Sequence, residues 1–382
     1  MIARNRGEAA TTVREVTAVV LRTEITPPWR TAAVTMTEMF VTAVRVRLAD
    51  GTEGWGECCV RAAPNATKVI VDELLGPQIV GSDATEVEGL WQRMFESQRS
   101  RGHTRGFLME AISGVDIALW DALGRSLRQP IHRLLHGISR RTLECYASSI
   151  FLGDPDAMID EAVRLVNAGY SALKVKIGRD IHHDVRVIHG MRDVLGDAVE
   201  IMVDANGALH AHQALAVMDR LSDCRLAFFE EPIPMDDLTG YRKLAAAGFA
   251  IPIAAGEAEG APGAFAPYVA ERLIDIVQPD VGRTGGITAS RKVANLADAF
   301  HVEWAPHTGA SSGICIAASL QLAAAVPNLR IWEDMYTQQP LQELFVEQLP
   351  RQQEGMVSIP QAPGLGLGID AEKISFFAVT PI

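Results

Sequence analysis

Apolar residues recur along the chain in two textures. Near the start, Thr17 to Thr23 and Phe40 to Leu48 are β-rich runs, and Asp50-Gly51 supplies a hairpin turn before a third run, Glu53 to Glu57. Helical spacing follows over Thr67 to Leu75, Ala84 to Phe95 and Gly106 to Gly124, so this first region is predicted to be α+β. From about Thr142 the texture changes, and short β-rich runs alternate with amphipathic helical stretches. The expected strands are Leu143 to Ser149, Ala172 to Ile177, Glu200 to Asp204, Leu226 to Glu230, Ile251 to Ala255, Ile274 to Pro279, Val302 to Ala305 and Leu329 to Trp332. Helices such as Asp156 to Ala168, with Asp154 and Pro155 as cap and first-turn signals, and Ala211 to Leu221 separate them.

Eight strands with seven intervening helices predict an α/β fold, a (β/α)7β TIM-like barrel lacking its last helix. A doubly wound sheet is the rival, but no G-x-G-x-x-G follows the first strand. The expected division is a capping region over 1–138, the barrel over 139–335, and a tail over 336–382 that packs back on the cap and carries a Pro-Gly-Leu-Gly turn at Pro363.

Composition narrows the function. With 382 residues, 48% of them hydrophobic, the chain can bury a large core, and its net charge of -12 with no basic stripe argues against nucleic acid as a partner. The most apolar stretch, Ile314 to Val326, is interrupted by Ser319 and Gln321 and reads as a buried helix, so no membrane association is expected. The first dozen residues lack a signal-peptide core and read as a loose terminus, and five cysteines without C-x-x-C spacing fit a reduced, cytoplasmic compartment.

Barrel enzymes build their sites at the C-terminal strand ends. Lys174 and Lys176 end the second strand with side chains on the same face, and two adjacent ammonium groups are expected to depress each other's pKa. Asp204, Glu230 and Glu257 end the next three strands at one level, a hard oxygen donor set suited to Mg²⁺ or Mn²⁺ rather than zinc. Asp280 and His307 on neighbouring strand ends form a prospective proton-transfer pair, and Glu333 is a carboxyl able, if protonated, to hydrogen-bond a substrate carboxylate. Mg²⁺ with Lys174 would neutralise an enediolate, leaving Lys176 and His307 to move protons on opposite sides of the substrate carbon. The paired histidines His182 with His183 and His210 with His212 begin helices and read as surface residues.

These residues, in this order, resemble the enolase superfamily and within it the mandelate racemase group. Gly54-Trp55-Gly56-Glu57, Ser113 to Asp121, Phe229-Glu230-Glu231-Pro232 and Ala255-Gly256-Glu257 carry the likeness across nearly the whole chain; Ala258 departs from the asparagine of many relatives. The resemblance implies specificity loops at Pro27 to Phe40 and Arg61 to Asn65, with Trp29, Arg30, His103 and Asn206 as substrate contacts, and Arg101 with His103 resembles a segment of members acting on acid sugars. It also implies a symmetric homo-oligomer and a small carboxylate-bearing substrate. The expected reaction is dehydration of a sugar acid to a 2-keto-3-deoxy acid, with racemisation or epimerisation of a 2-hydroxy acid and sugar-lactone cycloisomerisation as alternatives, and a non-catalytic binding barrel as a distant one.

Overall fold

The computed structural model describes residues 9–379. Residues 1–8 of the expected loose terminus lie outside that range. The rest of the dozen is anchored, because Thr12 bridges Asp83 and Thr11 Oγ1 donates to its carboxylate over 2.8 Å.

Three antiparallel strands open the chain: β1 (Val13–Arg30), β2 (Thr35–Leu48) and β3 (Glu53–Cys58), paired in the order β1-β2-β3. The first two run far beyond the apolar runs of the sequence. Residues read as a loop from Pro27 to Phe40 therefore form the end of a long β-hairpin arm, with a register shift between Glu24 and Trp29. The resemblance implied a loop here, and the Thr-rich tip, which lacks the apolar alternation that marks a strand, gave no signal against it.

The sheet packs on a 20-residue buried helix, Phe107–Ser126. The approach is so close that a Cβ on Gly56 would lie 2.0 Å from Gly114 O, and one on Gly54 would lie 2.2 Å from Ala122 N, so these positions exclude any side chain. Asp121 then joins three segments, accepting from Trp55 N, Arg125 and Leu365 N. Ser113 and Asp116 accept from Gly285 N and Thr288 N at the start of a barrel helix, fixing the cap against the barrel.

The barrel strands are β4 (Thr142–Ile150), β5 (Ala172–Lys176), β6 (Glu200–Asp204), β7 (Phe228–Glu230), β8 (Ile253–Ala255), β9 (Ile276–Val277), β10 (Glu303–Trp304) and β11 (Trp332–Met335). They are parallel in the order β10-β9-β8-β7-β6-β5-β4-β11, and a parallel bridge from Trp304 to Leu329 closes the ring. A helix joins each successive pair, the last being Gly313–Ala323, buried along its whole length. The fold is thus the (β/α)7β barrel with an antiparallel-sheet cap. The eighth strand differs from expectation: it begins at Trp332 rather than ending there. Its charges did not stop it, because Glu333 points into a polar barrel mouth and Asp334 accepts a hydrogen bond from Tyr170.

One apolar residue from each strand region fills the barrel interior: Tyr146, Ala172, Met202, Phe228, Ala254, Ile276, Ala305 and Ile331. Alternation along a strand returns every second side chain to the same face. Two residues further on, that face carries Ser148, Lys174, Asp204, Glu230, Gly256, Gln278, His307 and Glu333. A polar layer therefore lies directly above an apolar one.

After β11 the chain adds β12 (Met356–Ser358) antiparallel to β4, and a terminal helix, Ala371–Phe377. Beyond that helix, Ala378 bridges Leu21 and Val379 N donates to Val20 O, on the free edge of β1. Among the described residues no helix is long and apolar enough to cross a membrane.

Candidate active site

A cavity opens over the polar layer. Its floor and walls include Ser148, Lys176, Glu257, His307 and Glu333 from the barrel, and Trp29, Met36 and Arg61 from the cap. Strand alternation places Lys174 and Asp204 in one layer and Lys176 one step above. Glu257 breaks that period. It sits one residue past Gly256, whose φ of 133° turns the chain so that the neighbouring carboxylate reaches the mouth.

Lys174 is fully buried and holds the layer together. Its Nζ lies 2.7 Å and 2.8 Å from the two Glu230 oxygens and 2.6 Å from Glu333 Oε1. Burial alone would lower its pKa, but Glu230, Glu333, Tyr146 and Asp204 outweigh burial and raise it well above the usual lysine value. Lys174 is thus not depressed as expected, because it stands among carboxylates; Lys176 Nζ in turn donates to Asp204. Glu333 is likewise corrected. Burial favours its neutral form, yet Lys174 and His307, with hydrogen bonds from Lys174 and Ser148, hold it well below the carboxylate range. It is an ionised acceptor, taking hydrogen bonds from Ser148 Oγ and from the Thr308 backbone.

His307 Nδ1 lies 2.7 Å from Asp280 Oδ2, and its Nε2 lies 2.9 Å from Glu257 Oε2. Burial lowers the imidazole pKa, but Glu257, Glu333 and the Asp280 hydrogen bond overcome this and raise it to about 10. The loop that follows is fixed from the cap. Glu57, at the end of β3, accepts from Ser312 N at 3.0 Å, from Ser312 Oγ and from Cys315 N at 2.9 Å, satisfying donors at the start of the Gly313–Ala323 helix. Burial, reduced in part by those Ser312 and Cys315 bonds, pushes Glu57 up to about 7.

One oxygen from each of Asp204, Glu230 and Glu257 lies within 4.8 Å of the others. Around them the mouth also holds Glu231, Asp280 and Glu333 against Lys174, Lys176 and His307, an excess of carboxyls over bases that a divalent cation would balance. Asn206 Oδ1 and Glu231 Oε1 are buried there without hydrogen-bond partners. The donor set, all carboxylate oxygen, fits a hard divalent ion held by Asp204, Glu230 and Glu257.

The expected peripheral contacts divide. Trp29 lines the cavity and stacks on Phe151 at 5.3 Å, and Asn206 lines it with its backbone N–H donating to Asp204 at 2.7 Å. Arg30 points to the other side of β1, where it lines a separate depression with Arg179 and His183. His103 is exposed on a loop that turns to the barrel flank, where Thr104 O accepts from Ala261 N; neither it nor Arg101 lines the cavity. Of the Arg61 to Asn65 stretch, Arg61 alone lines the cavity, its Nη2 donating to Gly309 O at 3.0 Å. Sequence reasoning missed Glu231, Ser148 and Gln278. Glu231 has a φ of 33°, and its carboxyl is raised to about 8 by burial and by Glu257 and Asp204. The signal for Ser148 and Gln278 was the two-residue step above Tyr146 and Ile276.

A carboxylate-lined barrel mouth under a separate sheet cap defines the class: a barrel enzyme whose mouth offers oxygen ligands suited to a hard metal ion. Residues 13–136 match the mandelate racemase / muconate lactonizing enzyme N-terminal domain, and residues 157–374 match the enolase C-terminal domain-like family. The D-galactarolactone cycloisomerase of Agrobacterium fabrum is 32% identical over 378 residues, covering 95% of this chain and 98% of the relative. The arabinonate dehydratase of Saccharolobus solfataricus is 32% identical over 336 residues, covering 87% and 88%. The solved structure of a racemase from Streptomyces coelicolor A3(2) with bound magnesium superposes with a TM-score of 0.86 at 28% identity, covering 96% of this chain and 100% of that one. The chain belongs to the mandelate racemase / muconate lactonizing enzyme family of the enolase superfamily.

Proposed function

We propose that this chain is a Mg²⁺-dependent enzyme that removes the proton α to a substrate carboxylate, and that its reaction is dehydration of an acid sugar to a 2-keto-3-deoxy acid. One observation carries the reading: Lys176 stands against Asp204 and His307 against Glu257, so two proton-transfer groups flank the carboxylate triad within one cavity. Bound Mg²⁺ would neutralise the substrate carboxylate and the second negative charge that develops as the proton leaves. Lys174 adds a buried positive charge beneath that position.

Lys176 takes the α-proton. Asp280 holds Nδ1 of His307, so its Nε2 faces the cavity and delivers a proton to the departing 3-hydroxyl. Water leaves, and the enol tautomerises to the 2-keto acid. Arabinonate dehydratase supports this choice among superfamily reactions. The near-complete match to D-galactarolactone cycloisomerase favours a second reading, in which the eliminated group is a lactone carboxylate rather than hydroxide.

The test is a screen of mono- and diacid sugars and their lactones with Mg²⁺, read by semicarbazide and mass spectrometry, with Lys176→Ala as control. A ketone product lighter by one water supports dehydration, and a product of unchanged mass from a lactone supports cycloisomerisation. Solvent deuterium uptake without either product points to racemisation or epimerisation. No turnover and no exchange with any carboxylate would overturn the catalytic reading.

A further inference from the structure

Opposite the mouth, at the N-terminal face of the barrel, a second group of ligating side chains converges. His189 lies on the helix Ile181–Leu195, and Asp223 and Cys224 lie in the turn leading to β7. The His189 Nδ1 atom is 3.6 Å from Cys224 Sγ, and Cys224 Sγ is 3.7 Å from Asp223 Oδ1. One donor atom from each of the three lies within 4.8 Å of the others. We propose that His189, Asp223 and Cys224 form a binding site for a thiophilic divalent cation of the zinc type, separate from the catalytic centre.

The spacing suits that ion. A tetrahedron with zinc–sulfur bonds of about 2.3 Å and zinc–nitrogen or zinc–oxygen bonds of about 2.0–2.1 Å has edges of about 3.5 Å. The histidine is also oriented for it. Its Nε2 is 3.2 Å from the Arg220 carbonyl, an acceptor, and 3.8 Å from Asp223 Oδ1, so Nε2 carries the proton and the Nδ1 lone pair faces the sulfur; Asp223 joins the ion by turning its other lone pairs toward Nδ1. Arg192 holds the turn in place by donating to Cys224 O at 2.9 Å and to Val199 O at 2.8 Å.

The three side chains leave the fourth tetrahedral position to water. Cys224 is buried while Asp223 is exposed and His189 partly so, which leaves the site open on its solvent side. The thiol is pushed up to about 11, first by burial and then by Asp223, so it binds as thiolate by releasing its proton to water. Bound there, the ion ties the helix after the lysine strand to the turn before the Glu230 strand. Mg²⁺ does not compete, because a hard cation binds thiolate poorly.

The experiment uses the full chain saturated with Mg²⁺ and titrated with Co²⁺ as a spectroscopic probe for zinc. Thiolate coordination gives a near-ultraviolet sulfur-to-cobalt charge-transfer band, which the all-oxygen catalytic centre cannot produce. The expected result is one such band in the parent protein, displaced by Zn²⁺ and lost in Cys224→Ser. Should Cys224→Ser fail to fold, His189→Gln reads the same site, with Zn²⁺ binding weakened by on the order of 100-fold. Absence of the band in the parent, or Zn²⁺ affinity unchanged in both variants, overturns the proposal.

Discussion

The two layers inside the barrel are separated by a single alternation of the strands, yet they are built on opposite terms. The lower layer, from Tyr146 round to Ile331, is apolar and buried, and Tyr146 meets Phe228 edge-on at 6.0 Å. The upper layer holds Lys174, Asp204, Glu230, His307 and Glu333, equally buried but made of ionisable groups. Dispersion and water exclusion hold the lower layer, whereas the upper one is balanced charge against charge and keeps an excess of carboxylate. In the function proposed above, one supplies stability and the other reactivity, two residues apart on the same strands.

The largest effect is expected from Asp204→Asn in the upper layer. Turnover is expected to fall by more than about 10³-fold, since a metal centre supplies several kcal/mol of transition-state stabilisation. The Mg²⁺-dependent rise in melting temperature disappears with it, and calorimetry with and without Mg²⁺ checks this. Phe228→Ala tests the other layer. It should cost about 3–5 kcal/mol of unfolding free energy in a denaturant titration, with turnover per folded molecule little changed at low temperature.

A carboxyl outside both layers sharpens the point. Glu57 is raised from 4.5 to about 7, so the folded state holds its proton more tightly than the unfolded chain. Its contribution is fully present below pH 4.5 and is lost as pH rises to about 7; unfolding free energies over that window should fall less in Glu57→Gln. The smallest effect is expected on the hairpin arm, where Met36→Ala removes apolar wall and should raise KM by about tenfold with kcat nearly unchanged. A matching fall in kcat would show that the arm takes part in the chemistry.

The barrel was legible because its signals are local. Apolar runs ending in a charged residue marked Lys176, Asp204, Glu230, Asp280 and His307, and a two-residue period is enough to put such residues at one mouth. What failed was decided at a distance. Arg30 follows Trp29 in sequence, but strand alternation sends it out of the cavity, and that register was hidden within an arm taken for a loop. The ionised state of Glu333 depends on Lys174, 159 positions away, and could not be read from Trp332-Glu333. Glu231 reaches the mouth through an unusual backbone turn that no periodicity announces.

The pairing of Ala378 and Val379 with the free edge of β1 has a consequence for biosynthesis. The sheet containing β1 has an edge strand whose partner is made only after the entire barrel. The sheet β1-β2-β3 therefore waits, open on one side, until the segment beyond the terminal helix Ala371–Phe377 has been made. Loss of Ala378 and Val379 is then felt more than three hundred and fifty positions away, at Val20 and Leu21.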